Sequence, residues 1–184
     1  MVVFKIYFRI SFYGNNNLPA KGKYILAANH TSFLDPPLVA SSTWRRINFM
    51  ARDDLFKSRF FGNLITCLGA FKVNRGKTDR TAIKHALELL ARGEALLLFP
   101  QGTRHKQITM DNIHSGVGFL AKKSNAPVIP VYIKGADQAL GRKMVFPRPR
   151  HIKIYYGRPI RFKNGHYREF AGRVVDSIAR LKEA

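Results

Sequence analysis

Three short runs of this chain are apolar throughout, Tyr24-Ile25-Leu26-Ala27-Ala28, Ala95 to Phe99, and Val128-Ile129-Pro130-Val131-Tyr132-Ile133. Runs this short with no polar alternation read as buried strands. Helical signals separate them. Asp35-Pro36 offers an N-cap followed by a proline at the first helical position. Thr78-Asp79 opens a helix with Ile83, Ala86, Leu87 and Leu90 on one side, ended by Gly93. Another helix runs from about Ser115 to Asn125, before Pro127. The last one sets Tyr167, Phe170, Val174, Ile178 and Leu181 on one docking face. His151 to Tyr156 alternates, with Ile152 and Ile154 facing one way. Strands alternating with helices predict an α/β fold, a mixed, largely parallel sheet flanked by helices. At 184 residues the chain suits a single domain spanning 1–184 around one sizeable core.

The charge is the second constraint. Thirty-two Lys and Arg against 11 Asp and Glu leave a net +21, which calls for a polyanionic partner such as a membrane, a nucleic acid or a phosphorylated substrate. It excludes acidic metal cages. Successive blocks, 1–50, 51–100, 101–150 and 151–184, carry +5, +4, +7 and +5, so the charge belongs to the folded surface and not to a basic tail. An apolar fraction of 46% is too high for a disordered chain. No stretch approaches the roughly 20 apolar residues of a membrane-spanning helix.

Residues 1–13 read as a helical turn running into a strand. Lys5 and Arg9 lie inside the apolar stretch and no small-residue cleavage site follows, which argues against a secretory signal. Met1 to Tyr13 is instead a segment able to lie at a bilayer interface, and so is the aromatic group Phe56, Phe60 and Phe61, with core packing the competing role of each. The single cysteine, Cys67, rules out an internal disulfide or a multi-cysteine metal site and fits a reducing compartment. Its apolar neighbours in Leu64–Leu68 predict burial.

Several nucleotide and hydrolase signatures fail. Arg75-Gly76-Lys77-Thr78 looks like the end of a phosphate-cradling loop, but Phe71 stands where the first glycine is needed. Gly116-Val117-Gly118-Phe119-Leu120-Ala121 matches a dinucleotide fingerprint by letters, yet no strand directly precedes it, so it reads as a helix packed closely against the sheet. Ser115 lacks the glycine two positions earlier of a nucleophile elbow, and the six histidines show no HExxH pairing. The sequence calls for no metal and no cofactor.

The informative segment is Asn29-His30-Thr31-Ser32-Phe33-Leu34-Asp35. In a regular helix five residues would turn His30 and Asp35 about 140° apart. A tight turn before Pro36 would bring them together, letting Asp35 accept from one imidazole nitrogen and leaving the other as a general base. Taken alone, the pattern reads more simply as a turn histidine followed by an N-cap aspartate.

Other segments follow in order. Asn29-His30 to Asp35 resembles the first block of the glycerolipid acyltransferases, the family of 1-acylglycerol-3-phosphate acyltransferase. Ala51 to Lys57, Phe61-Gly62 and Gly69 to Arg75 resemble the second block, Phe99-Pro100-Gln101-Gly102-Thr103-Arg104 the third, and Val128-Ile129-Pro130-Val131 the fourth. The resemblance spans roughly residues 8 to 160. Two positions depart from it: Gln101 stands where the family usually has glutamate, and Ser115 where a lysine often precedes the glycine matching Gly116.

The resemblance implies a glycerol-3-phosphate acyltransferase-like fold and transfer of a fatty acyl group from a thioester, acyl-coenzyme A or acyl-acyl carrier protein, to the hydroxyl of lysophosphatidic acid. His30 would be the general base oriented by Asp35. Arg75 and Arg104 would hold the acceptor phosphate, with Gln101, Gly102 and Thr103 completing the substrate site. Because the family's glutamate is associated with acceptor binding, Gln101 leaves a different lysolipid acceptor as the alternative. The enzyme would work in the cytoplasm, peripherally on an anionic membrane surface. A nucleic-acid-binding protein is the distant alternative permitted by the charge and 22 aromatic residues. No nucleic-acid module is evident, so no nucleic acid is expected as a partner.

Overall fold

In a computed structural model of the chain, residues 6–74, 79–102, 114–141, 144 and 146–183 are described. Tyr24–Ala28 forms β2, and all five of its residues are buried. It can be apolar on both faces because it is central. β2 pairs in parallel with β5 (Ala95–Leu98) on one side and β6 (Val128–Lys134) on the other.

Strands β1 (Ser11–Tyr13), β3 (Ile47–Arg52), β4 (Ala70–Val73) and β7 (Lys153–Tyr156) complete a seven-stranded sheet in the order β1-β7-β6-β2-β5-β3-β4. Among the described strand pairs, only β6 and β7 run antiparallel. The expected mixed, largely parallel α/β sheet is therefore present. Ile6 and Tyr7 form the helical turn ahead of β1, with a bend at Arg9, whose φ is 43°.

Helices cover both faces, and the period of two along β2 decides which residue meets which layer. Tyr24, Leu26 and Ala28 join a core with α1 (Asp35–Ala40), Ile65 of α2 (Arg59–Cys67) and α5 (Ala136–Ala139). Ile25 and Ala27 face the other core, built by α3 (Arg80–Ala91), α4 (Gly116–Ser124) and α6 (Tyr167–Arg180). Each fully buried Leu or Ile contributes about 1.5–3 kcal/mol, so the two cores stabilise the sheet from both sides. Among the described residues no helix is long and apolar enough to cross a membrane.

Three expectations need correction. Asp35 is not the N-cap of α1: Leu34 is, and Asp35 opens the helix while its carboxylate turns back to the preceding loop. Cys67 is exposed, because α2 lies near the sheet's β4 edge and buries only Gly62 and Ile65. The close packing expected at Gly118 is against α6, more than against the sheet: a Cβ there would come 2.3 Å from the Tyr167 carbonyl oxygen and 2.9 Å from Tyr167 Cα. Val117, Leu120 and Ala121 make the packing with the sheet.

Gly118→Ala tests that contact. Alanine is the better helix former by about 1 kcal/mol, but forcing a methyl into backbone costs typically 1–3 kcal/mol or more. The variant should be less stable than wild type by roughly 1–2 kcal/mol net in urea unfolding. Gly116→Ala, where an added Cβ meets nothing within 4 Å, should be neutral or stabilising.

Candidate active site

Open α/β sheets bind ligands beyond the carboxyl ends of their strands, near the place where successive connections leave in opposite directions. Here that place is β2. The chain leaves β2 toward β3 and β4, returns at β5, and then crosses β2 to β6. The segments after β2 and β5 therefore stand side by side, with Ala27 opposite Leu98.

Past the end of β2, the Asn29 side chain continues the pairing that the backbone gives up. Its amide nitrogen donates to the Ile133 carbonyl (2.9 Å) and its amide oxygen accepts from the Ile133 N–H (2.7 Å). The chain then turns sharply. One carboxylate oxygen organises that turn: Asp35 Oδ2 accepts from Thr31 N–H (2.7 Å), Ser32 N–H (2.9 Å) and His30 Nδ1 (2.8 Å). Ser32 Oγ donates to the Leu140 carbonyl (2.7 Å) and accepts from Leu34 N–H (3.1 Å), tying the turn to the end of α5.

Asp35 is fully buried and the His30 side chain is 16% exposed. An oxygen already accepting two backbone donors is an acceptor toward the ring as well, so Nδ1 carries the hydrogen. In the neutral imidazole Nε2 then keeps its lone pair. The ring is also fixed in plane, stacked on Phe99 with centroids 4.0 Å apart and planes 22° apart. Asp35 Oδ1 is buried and has no hydrogen-bond partner among the described residues.

Gln101 and Gly102 follow β5. Gln101 is buried. Gly102 sits at φ +63°, a conformation that favours glycine, and a Cβ there would come 2.9 Å from His114 Nε2. Arg75, Thr103 and Arg104 lie outside the described residues. Asp79, at the N-cap of α3, accepts from Asn74 N–H (2.8 Å) and from Ala82 N–H (3.0 Å). These backbone donors hold its carboxyl below the usual carboxylate range.

Between α3, α4 and the sheet lies a cavity of about 980 Å³. Met50, Ile83, Leu87, Val117, Phe119 and Leu120 give it an apolar wall, and Arg52, Arg80, Lys84 and His114 bring polar groups to it. Phe99, Pro100 and Gly102 also line it, so the ring that stacks on His30 is part of the cavity wall. The sequence reading did not single out Phe99, His114 or this cavity. Ile83 and Leu87 fall on the same helical stripe as core residues, and nothing in their spacing marks them as lining a space. Phe99 carried one signal, its place beside Pro100 at the end of an apolar strand.

The family model described as Acyltransferase matches residues 9–134. The chain is 30% identical over 152 residues to a 1-acyl-sn-glycerol-3-phosphate acyltransferase of Streptococcus pneumoniae, an alignment covering 81% of this chain and 54% of that protein. It is 27% identical over 163 residues to the protein of the same name from Bacillus subtilis, covering 88% and 76%. The chain thus spans about half of the first relative and three quarters of the second. Its fold matches the crystal structure of the 1-acyl-sn-glycerophosphate acyltransferase PlsC from Thermotoga maritima with a TM-score of 0.74, at 24% identity, over 95% of this chain and 71% of that one. With the matched region running from just before β1 through β6, the chain belongs to the Acyltransferase family.

Proposed function

We propose that the chain transfers a fatty acyl group from a thioester donor to the free hydroxyl of 1-acylglycerol-3-phosphate, forming phosphatidic acid. The observation that carries this reading is the His30–Asp35 pair. Nδ1 is engaged at 2.8 Å and Nε2 holds the lone pair, on a ring that stacks against the wall of an apolar cavity. Both relatives are 1-acyl-sn-glycerol-3-phosphate acyltransferases by name, which supports the choice of acceptor.

Nε2 takes the proton of the acceptor hydroxyl as its oxygen bonds to the thioester carbonyl carbon. The imidazolium so formed is stabilised by Asp35 Oδ2. When the tetrahedral intermediate collapses, the carbon–sulfur bond breaks and Nε2 returns its proton to the leaving thiolate. The step balances without an acyl-enzyme, so neither Cys67 nor Ser115 is needed as a nucleophile. The cavity holds the acyl chain of the donor, acyl-coenzyme A or acyl-acyl carrier protein. Its volume lies within the range of ligand sites, and each methylene removed from water is worth about 0.8 kcal/mol.

Arg75 and Arg104 hold the acceptor phosphate, and Gln101, Gly102 and Thr103 complete the substrate site. Gln101 supplies an amide where the family resemblance leads one to expect a glutamate, so it can hydrogen-bond a phosphate or hydroxyl without competing for the arginines. That same neutrality is what favours the second reading, acylation of another lysolipid. Either acceptor is a membrane lipid, and an anionic bilayer surface is the expected setting.

His30→Ala should lower kcat/KM by roughly 10²- to 10⁴-fold while the protein stays folded, since the ring sits in a turn at the edge of the core. Near-normal turnover by folded His30→Ala would sink the mechanism. Asp35→Asn should be milder in rate. Its amide oxygen can keep the Thr31, Ser32 and His30 bonds and hence the tautomer, but the charge opposite the imidazolium is lost. The amide nitrogen would then occupy the unpartnered position of Oδ1, so the melting temperature should also fall.

The acceptor is tested with a lysolipid panel on wild type and Gln101→Glu. If lysophosphatidic acid is the acceptor, Gln101→Glu should stay active on it with KM changed more than kcat, and Arg104→Ala should raise KM sharply. A wild type inert to lysophosphatidic acid, but active on a lysolipid without a terminal phosphate, would transfer the assignment to that lipid.

A further inference from the structure

Helix α2 shows solvent an apolar surface that none of the described residues covers. At about 100° per residue, Phe60, Phe61, Leu64, Cys67 and Leu68 fall within an arc of about 120°. All five are exposed, Phe60 to 83% and Leu64 to 47%. The arc runs on directly into the buried positions Gly62 and Ile65, while Arg59, Asn63 and Thr66 make the polar side.

The helix cannot roll to hide this surface. Ile65 is locked into the core, and at Gly62 the helix backbone lies so close to the preceding 3₁₀ turn, Asp53–Phe56, that a Cβ would stand 3.1 Å from the Phe56 carbonyl oxygen. The outward placement of Phe60 and Leu64 is therefore fixed by backbone contact.

Basic residues border the apolar strip. Lys57 and Arg59 are exposed at its first turn, and the Arg46 guanidinium reaches the Thr66 carbonyl in the last turn (3.4 Å). Trp44, wholly exposed, stands two residues before Arg46. A second copy of the chain would itself carry a net +21, and this overall repulsion argues against self-association there. A bilayer with anionic headgroups offers what the strip and its border require together: an apolar layer for Phe60 and Leu64, and negative charge at the level of the cations. An exposed tryptophan suits that interface too.

By contrast, the N-terminal segment uses Phe8 in the core (2% exposed) and ties the Tyr7 hydroxyl to the Pro147 carbonyl at 3.0 Å. Residues 1–5 lie outside the described residues. The first turn of α2 is reached from the carboxyl end of β3, the end of the sheet at which His30 stands.

We propose that the exposed face of α2, from Phe60 to Leu68, seats in the headgroup layer of an anionic bilayer and holds the catalytic end of the sheet near its lipid acceptor. The proposal rests on the acyl-transfer reading only for that acceptor. Its test involves no turnover, so docking and acyl transfer can fail independently.

The chain carries one cysteine, on this face. A polarity-sensitive fluorophore on Cys67 of the full chain should shift to the blue on adding phosphatidylcholine vesicles mixed with phosphatidylglycerol, and be quenched by brominated acyl chains. Phosphatidylcholine alone should give much less, and added salt should reduce the response. Phe60→Ser with Leu64→Ser should lower partitioning roughly tenfold or more without changing the melting temperature. Lys57→Gln with Arg59→Gln should lower it several-fold and flatten its salt dependence. Vesicle binding with an unshifted label, or wild-type partitioning of the Phe60/Leu64 variant, would overturn the proposal. So would a label that responds to an acidic carrier protein and not to lipid.

Discussion

Burial of β2 on both faces is the constraint on which the remaining architecture hangs. A strand with no polar residue must have neighbours on either edge and a helical layer above and below. Parallel neighbours require crossover helices, which supply those layers. The crossovers from β2 to β3 and from β5 to β6 leave β2 on opposite sides, and the residues just past β2 and β5 are thereby set next to each other. His30 and Phe99 lie far apart in the chain, and the sheet brings them together at one end of the molecule, stacked with centroids 4.0 Å apart. The Asn29 amide extends the pairing one step further, so the turn carrying His30 begins from a fixed point.

Much of this was legible in the residues. The three apolar runs became the three central strands, and the alternation in His151–Tyr156 became the edge-side strand β7, Lys153–Tyr156, with Ile154 within it and Ile152 just before it both buried. The pairing of His30 with Asp35 could be read from the spacing once a turn was assumed. The direction of the Asp35 carboxylate could not. Proline at the next position suggested an N-cap, but an acceptor at this site finds three donors behind it, at residues 30, 31 and 32, and bonds to all of them through one oxygen.

Cys67 was misread for a different reason. Apolar periodicity reports which residues avoid water in a helix that is covered, and it is silent about whether a cover is present. The same limit hid the cavity: Ile83 and Leu87 follow the stripe of α3 as faithfully as Ala86 and Leu90, yet the first two line a space while the latter two are packed into the core. Absence of a neighbour is a tertiary property, and local spacing does not encode it. Arg75, Thr103 and Arg104 rest on their place in the motif blocks.

Phe99 belongs to two structures at once, the support under the His30 ring and the wall of the cavity. If the cavity holds the acyl chain as proposed, changes to its shape therefore have different consequences at different positions. Ile83 and Leu87 lie on α3 and not on the segment that stacks on the imidazole, so volume there can be altered without removing that support. At Phe99 any change of volume also alters the surface that fixes the plane of the His30 ring. On the proposed mechanism, the fit of the acyl chain and the orientation of the base would be joined there in one side chain, so variation at this position is expected to be narrower than in the remainder of the wall.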